Sequence, residues 1–130
     1  MYEPTRSKTV VHHNGGHRDQ YPRSSRGEAL DIQLAGHLSA LLAVTDELGL
    51  DEAAEHIADQ VTRLRGARPT RASAHSPEDP AALHHRAHDL AARALLVAAS
   101  RADTAAAILA AERMDAHAAA LDSVDLAGAL

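Results

Sequence analysis

From Ala81 to Ala127 the chain runs for 47 residues without a glycine or a proline, and 18 of the 40 residues from Ala81 to Ala120 are alanine. Glycine and proline are the residues that interrupt helices. Alanine favours them most, by about 1 kcal/mol over glycine and about 3 kcal/mol over proline at an interior position. Such a stretch can be little other than helix, and it constrains everything else the chain can build. The expected fold is all-α: an antiparallel helical hairpin plus one long Ala-rich helix, packed as a bundle.

The material for a core is aliphatic, because the only aromatic residues, Tyr2 and Tyr21, lie near the N-terminus. Leu, Val, Ile and Ala must therefore do the packing. Alanine faces let helices come close, but each buries less area than Leu or Phe, so stabilisation at about 25 cal/mol per Å² accumulates slowly. With no cysteine, the chain can form no disulfide framework, thiolate zinc site or thiol nucleophile. It has no apolar run long enough to span a bilayer, and its first residues lack the apolar core of a secretory signal. A cytoplasmic location without membrane association is the expectation.

The formal net charge of −5 is unevenly distributed. Residues 1–27 carry +3, residues 28–66 carry −6, residues 67–80 balance, and residues 81–130 carry −2. Nucleic-acid binding needs a basic face that neutralises phosphates. An acidic helical body offers none, and any such binding would fall to the N-terminal tail.

Residues 1–24 are polar and poor in apolar side chains, and they read as a weakly basic tail ahead of a bundle domain at 25–122. A capping-box pattern, Ser25-x-x-Glu28, predicts the start of a first helix over 26–48. Its apolar stripe is Leu30, Leu34, Leu38, Leu41, Thr45 and Leu48. Asp46 and Glu47 fall in its last turn, where the helix dipole disfavours anions. A second helix over 51–65 has Leu50, Ala54, Ile57, Val61 and Leu64 at 4-3-4-3 spacing, with Gly66 as the residue just past its end. The connection through Gly49 is too short for anything but a tight reversal.

After a polar loop, Ser76-Pro77-Glu78-Asp79-Pro80 supplies strong start signals for a third helix over 79–121. Residues 123–130 are left as a C-terminal tail. Two apolar seams run side by side along the third helix, one through Leu83, Ala87, Leu90, Ala94 and Val97 and then Thr104, Ile108 and Ala111, the other through Ala91, Leu95, Ala98, Ala102, Ala105 and Leu109. Because the face keeps its phase from Leu83 to Leu109, the helix is expected to be continuous. At 1.5 Å per residue it would span roughly 60 Å, about twice the first helix. Half of it would then lack a cover, which points to a homodimer. The alternative is a break at Ser100-Arg-Ala-Asp103, giving four helices in one bundle.

Ten histidines are many for 130 residues. His84 and His88 share a face of the third helix, and His37 lies at the edge of the leucine stripe of the first. Three imidazoles on inward-leaning faces could supply nitrogen ligands to zinc or nickel and leave one position open. In this arrangement of one histidine on one helix and a spaced pair on another, the three residues resemble the metal ligands of the DinB-like helical bundles. His85 and Asp89 fall on the outer side, and His12, His13 and His17 lie in the tail.

Little else suggests chemistry. No glutamate has a histidine three residues on, the only lysine is Lys8 in the tail, and no GxSxG, HExxH or glycine-rich phosphate loop occurs. Glu112, Arg113 and Asp115 interrupt the seams and are read as the point where burial ends. The stretch from Leu48 to Leu64 has a faint helix-turn-helix outline, but Asp51, Glu52, Glu55 and Asp59 would face phosphate. The expected function is a non-enzymatic protein–protein interaction or regulatory module without a cofactor, homodimeric, with its N-terminal tail open to a protein partner. The alternative is a bundle that binds a metal, zinc or nickel, or a small molecule through His37, His84 and His88.

Overall fold

The computed structural model describes the backbone of residues 15–74 and 77–129 and, within these, the side chains of residues 25–128. It contains four helices, α1 (Gly15–Glu47), α2 (Asp51–Arg65), α3 (Pro80–Ser100) and α4 (Thr104–Ala129), and no strand among the described residues. The helices pack as a bundle. The α3–α4 contact is the most extensive, α1 lies against both α2 and α3, and α2 meets α4 only lightly. Arg101 at the end of α3 reaches Asp31 in the first half of α1, and His84 near the start of α3 borders the same recess as Glu47 at the end of α1. These two helices therefore run antiparallel.

The core is uneven in its side chains. Helix α1 contributes Leu34, Leu38, Leu41 and Leu42, and α2 adds Ile57 and Val61, whereas α3 buries Leu83 and then only alanines, at 87, 91, 94 and 98. Opposite them, α4 places Ala106, Leu109 and Ala110. Small side chains at a helix–helix contact shorten the distance between axes. The leucines of α1 then fill the space that remains.

Helix α2 occupies the span its periodicity predicts, and Gly66 follows it at φ 79 with its N–H bonded to Thr62 O. Helix α1 starts earlier than expected. Ser25 and Glu28 are exposed residues inside the helix rather than its cap, because capping-box spacing is met by many polar stretches and acts only where the backbone leaves helical geometry.

The larger correction concerns the long third helix, which is broken at Arg101–Asp103. Ala102 sits at φ 57, its N–H bonds to Ala99 O at 3.1 Å, and the Asp103 N–H bonds to Ala98 O at 2.8 Å. This pair of bonds is a Schellman motif, the helix ending in which glycine normally takes the left-handed position. Asp103 then caps the next helix, its Oδ1 accepting from the Ala106 N–H at 3.2 Å. Two ion pairs brace the turn from outside, Arg63 to Asp103 at 2.8 Å and Arg101 to Asp31 at 3.0 Å. The turn from α1 to α2 is built alike, with Gly49 at φ 73, Gly49 N–H to Asp46 O and Leu50 N–H to Thr45 O.

An alanine held in the left-handed region is strained relative to glycine by about 1 kcal/mol. Replacing Ala102 by glycine is therefore expected to raise stability by up to that amount, read as an upward shift of a few degrees in melting temperature. A fall would show that the turn takes another geometry in solution.

The loop after α2 is tied down by arginines. Arg68 pairs with Asp59 and Glu55, and Arg71 pairs with Asp46 and Glu55. Among the described residues no helix is long and apolar enough to cross a membrane.

Candidate functional site

Of the three histidines singled out in the sequence, His37 is a partly exposed residue of α1, and His88 lies one turn beyond His84 on α3. The structure brings His84 to a residue the sequence reading passed over. His117 of α4 has no solvent exposure, and its Nδ1 lies 2.9 Å from His84 Nδ1, with the ring centroids 5.1 Å apart. Arg113, one turn back on α4, reaches His117 Nε2 with its Nη2 at 3.4 Å. Burial therefore continues past Glu112, contrary to expectation. The sequence signal for it is the spacing Ala106, Ala110, Arg113, His117, a 4-3-4 seam that polar residue types concealed.

The proton positions follow from the donor inventory. A guanidinium only donates, so His117 Nε2 must be the accepting nitrogen, and its proton sits on Nδ1. That Nδ1–H then donates to His84 Nδ1, which leaves the His84 proton on Nε2. The result is a directed chain, Arg113 to His117 to His84, between two neutral rings. Its energetics agree with this assignment. Burial, then the nearby Arg113 charge, then His84 and His88, pull the His117 pKa down to about 4. His84 is also lowered, by burial and by Arg113. Burial likewise lowers Arg113, whose Nε is buried without a hydrogen-bond partner among the described residues.

This arrangement bears directly on metal binding. Each ring has one lone pair, and both are occupied, that of His117 by Arg113 and that of His84 by His117. Neither offers a free nitrogen to zinc or nickel, and the adjacent guanidinium opposes a cation. Among the described residues no group of three or more His, Cys, Asp or Glu is placed to hold a metal ion. His37, His84 and His88 are not gathered as a ligand set.

The surrounding recesses are shallow and charged. Glu47, Gly49, Glu78 and Pro80 share one with His84, and Asp51, Glu52 and His56 share another with Arg113. A third, of about 570 Å³, lies under the loop after α2 and is lined by Ser39, Val61, Arg65, Arg68 and Arg71. Arg68 and Arg71 are already engaged by carboxylates, which leaves Arg65 as the remaining cation of its lining.

Fold and site together define an all-α bundle of two helical hairpins in which a fully buried imidazole, His117, meets a partly buried one, His84. Compared with family models, with curated proteins and with solved structures, the chain has no match in any of the three.

Proposed function

We propose that the chain is a non-enzymatic helical interaction module that pairs with a second copy of itself through the outer face of the α3–α4 hairpin. Because α4 folds back onto α3, an uncovered half-helix no longer supplies the reason for pairing. The supporting observation is instead the exposure of two large apolar side chains, Leu96 at 71 % and Ile108 at 55 %. Exposed apolar groups set together mark surfaces that meet partners. The two residues are equally far from Ala102, so in an antiparallel hairpin they stand at one level, with Ala92, Ala99 and Ala111 one turn away as small neighbours. A two-fold axis along the hairpin would lay Leu96 of each copy on Ile108 of the other, which is the self-complementarity an isologous interface requires. The basic N-terminal tail, whose first fourteen residues lie outside the described ones, is the segment we assign to a separate acidic partner.

Light scattering coupled to size exclusion should give twice the chain mass at tens of micromolar, and replacing both Leu96 and Ile108 by glutamate should halve that mass without loss of helical signal. A wild-type monomer at that concentration, or a double variant that still pairs, would exclude this interface.

A further inference from the structure

We infer that His84, His117 and Arg113 form an acid-sensitive clasp that holds the distal half of α4 against the start of α3 and releases it when the pair takes up a proton. The inference rests on the occupancy of every lone pair. A proton added to His84 Nδ1 would face the His117 Nδ1–H across 2.9 Å, and a proton added to His117 Nε2 would face the Arg113 guanidinium. In either case a hydrogen bond becomes a contact between two donors, and a second positive charge is placed beside Arg113, at His117 in a position with no solvent exposure and at His84 in a partly covered one.

The charged groups around the cluster offer little relief. On α3, His88 acts on His117 in the same direction as Arg113, and on α4, Glu112 acts on Arg113. Glu47 of α1 and Glu78 of the preceding loop share the recess of His84, but Glu78 is paired with Arg86. From α2, Asp51, Glu52 and His56 stand beside Arg113.

Position decides what opens. Among the described residues His117 is the last fully buried one of α4; residues 118 and 119 are exposed and, of those beyond, Ala120 and Leu121 are partly covered. Release of His117 therefore frees everything after it, while the alanine contacts nearer Ala102 remain.

The sign of the pH dependence is fixed by the direction of the shift. A histidine whose folded pKa is depressed binds its proton in the opened state first, so the closed form is fully favoured above about pH 6.5 and loses ground as pH falls toward about 4. At about pH 5 the ratio of opened to closed should have risen about 20-fold over its value at neutral pH, from His117 alone.

Hydrogen exchange of the intact protein, corrected for intrinsic rates, should show protection in residues 113–121 falling by that factor between neutral pH and about pH 5, with α1 and α2 unaffected. His117→Gln keeps a donor and cannot ionise, and it should remove the part of the dependence that comes from His117. Should that variant fail to fold, ring-nitrogen NMR of the wild type decides: two neutral rings, protonated on Nδ1 in His117 and on Nε2 in His84, support the clasp. A ring already charged at neutral pH, protection independent of pH, or a His117→Gln variant with an unchanged profile would overturn it.

Discussion

Replacing Asp46 by alanine is expected to cost about 2–3 kcal/mol and to lower the melting temperature by roughly 5–10 °C. Its carboxylate is almost fully buried. It accepts from Arg71 Nε at 2.9 Å and Nη2 at 2.7 Å and from the Ala72 N–H at 3.0 Å. These three bonds pin the loop after α2 across the end of α1. They also answer the unfavourable dipole at that position, since the guanidinium brings a positive charge to the C-terminal turn. Removing one partner of a buried pair costs most when the other stays buried. Here the Arg71 side chain is about one-third exposed and still reaches Glu55, so the value falls below that of a fully enclosed pair. The hydrogen bond from Arg71 holds the Asp46 pKa below its ordinary value of 3.8. Its stabilisation is therefore present above that value and lost as pH falls below it. Denaturation curves of wild type and Asp46→Ala should converge only in that acid range, at the lower edge of the window in which the histidine pair responds.

Truncating Leu38 to alanine should cost more, about 3–4 kcal/mol. Leu38 has no exposed surface and sits in the cluster formed with Leu34, Leu41, Leu42 and the alanines of α3. The usual range for such truncations is wide because neighbours differ in how far they can collapse into the void. Alanine has no side-chain freedom with which to do so. The surrounding wall is thus unusually unable to relax, which places the loss in the upper part of the range. Denaturant unfolding should show a lower midpoint with an unchanged slope. A loss under about 1 kcal/mol would mean that α1 moves inward to refill the space.

What could be read from the sequence was whatever is encoded within a helix turn or two. Helix α2 is the clearest case, since Ala54, Ile57 and Val61 mark its buried face and Gly66 marks its end. The break at Ala102 is hidden in the sequence for a definite reason. The left-handed position carries alanine instead of glycine, and the apolar seams keep their phase through it. The forces that make the turn, Arg63 with Asp103 and Arg101 with Asp31, come from residues 40 and 70 positions away. Half of the candidate site was legible in the same sense. The face bearing His84 and His88 does turn toward α4, but its partner His117 is 33 residues on, and no periodicity links the two until the break is placed. Asp46 posed the same difficulty, with its counter-charge in a polar loop 25 residues later.

The two inter-helix turns, at Leu48–Leu50 and at Arg101–Asp103, have the same length and the same hydrogen-bond pattern. The chain is therefore one hairpin design used twice. Within each hairpin the contacts join residues close in sequence, and such local contacts carry a small loop-closure cost and form in microseconds to milliseconds. Docking of one hairpin on the other is the step that must bring distant residues together. During synthesis, α1 and α2 can close on each other while the residues of α3 and α4 have yet to be added, so the order of assembly follows the order of the chain.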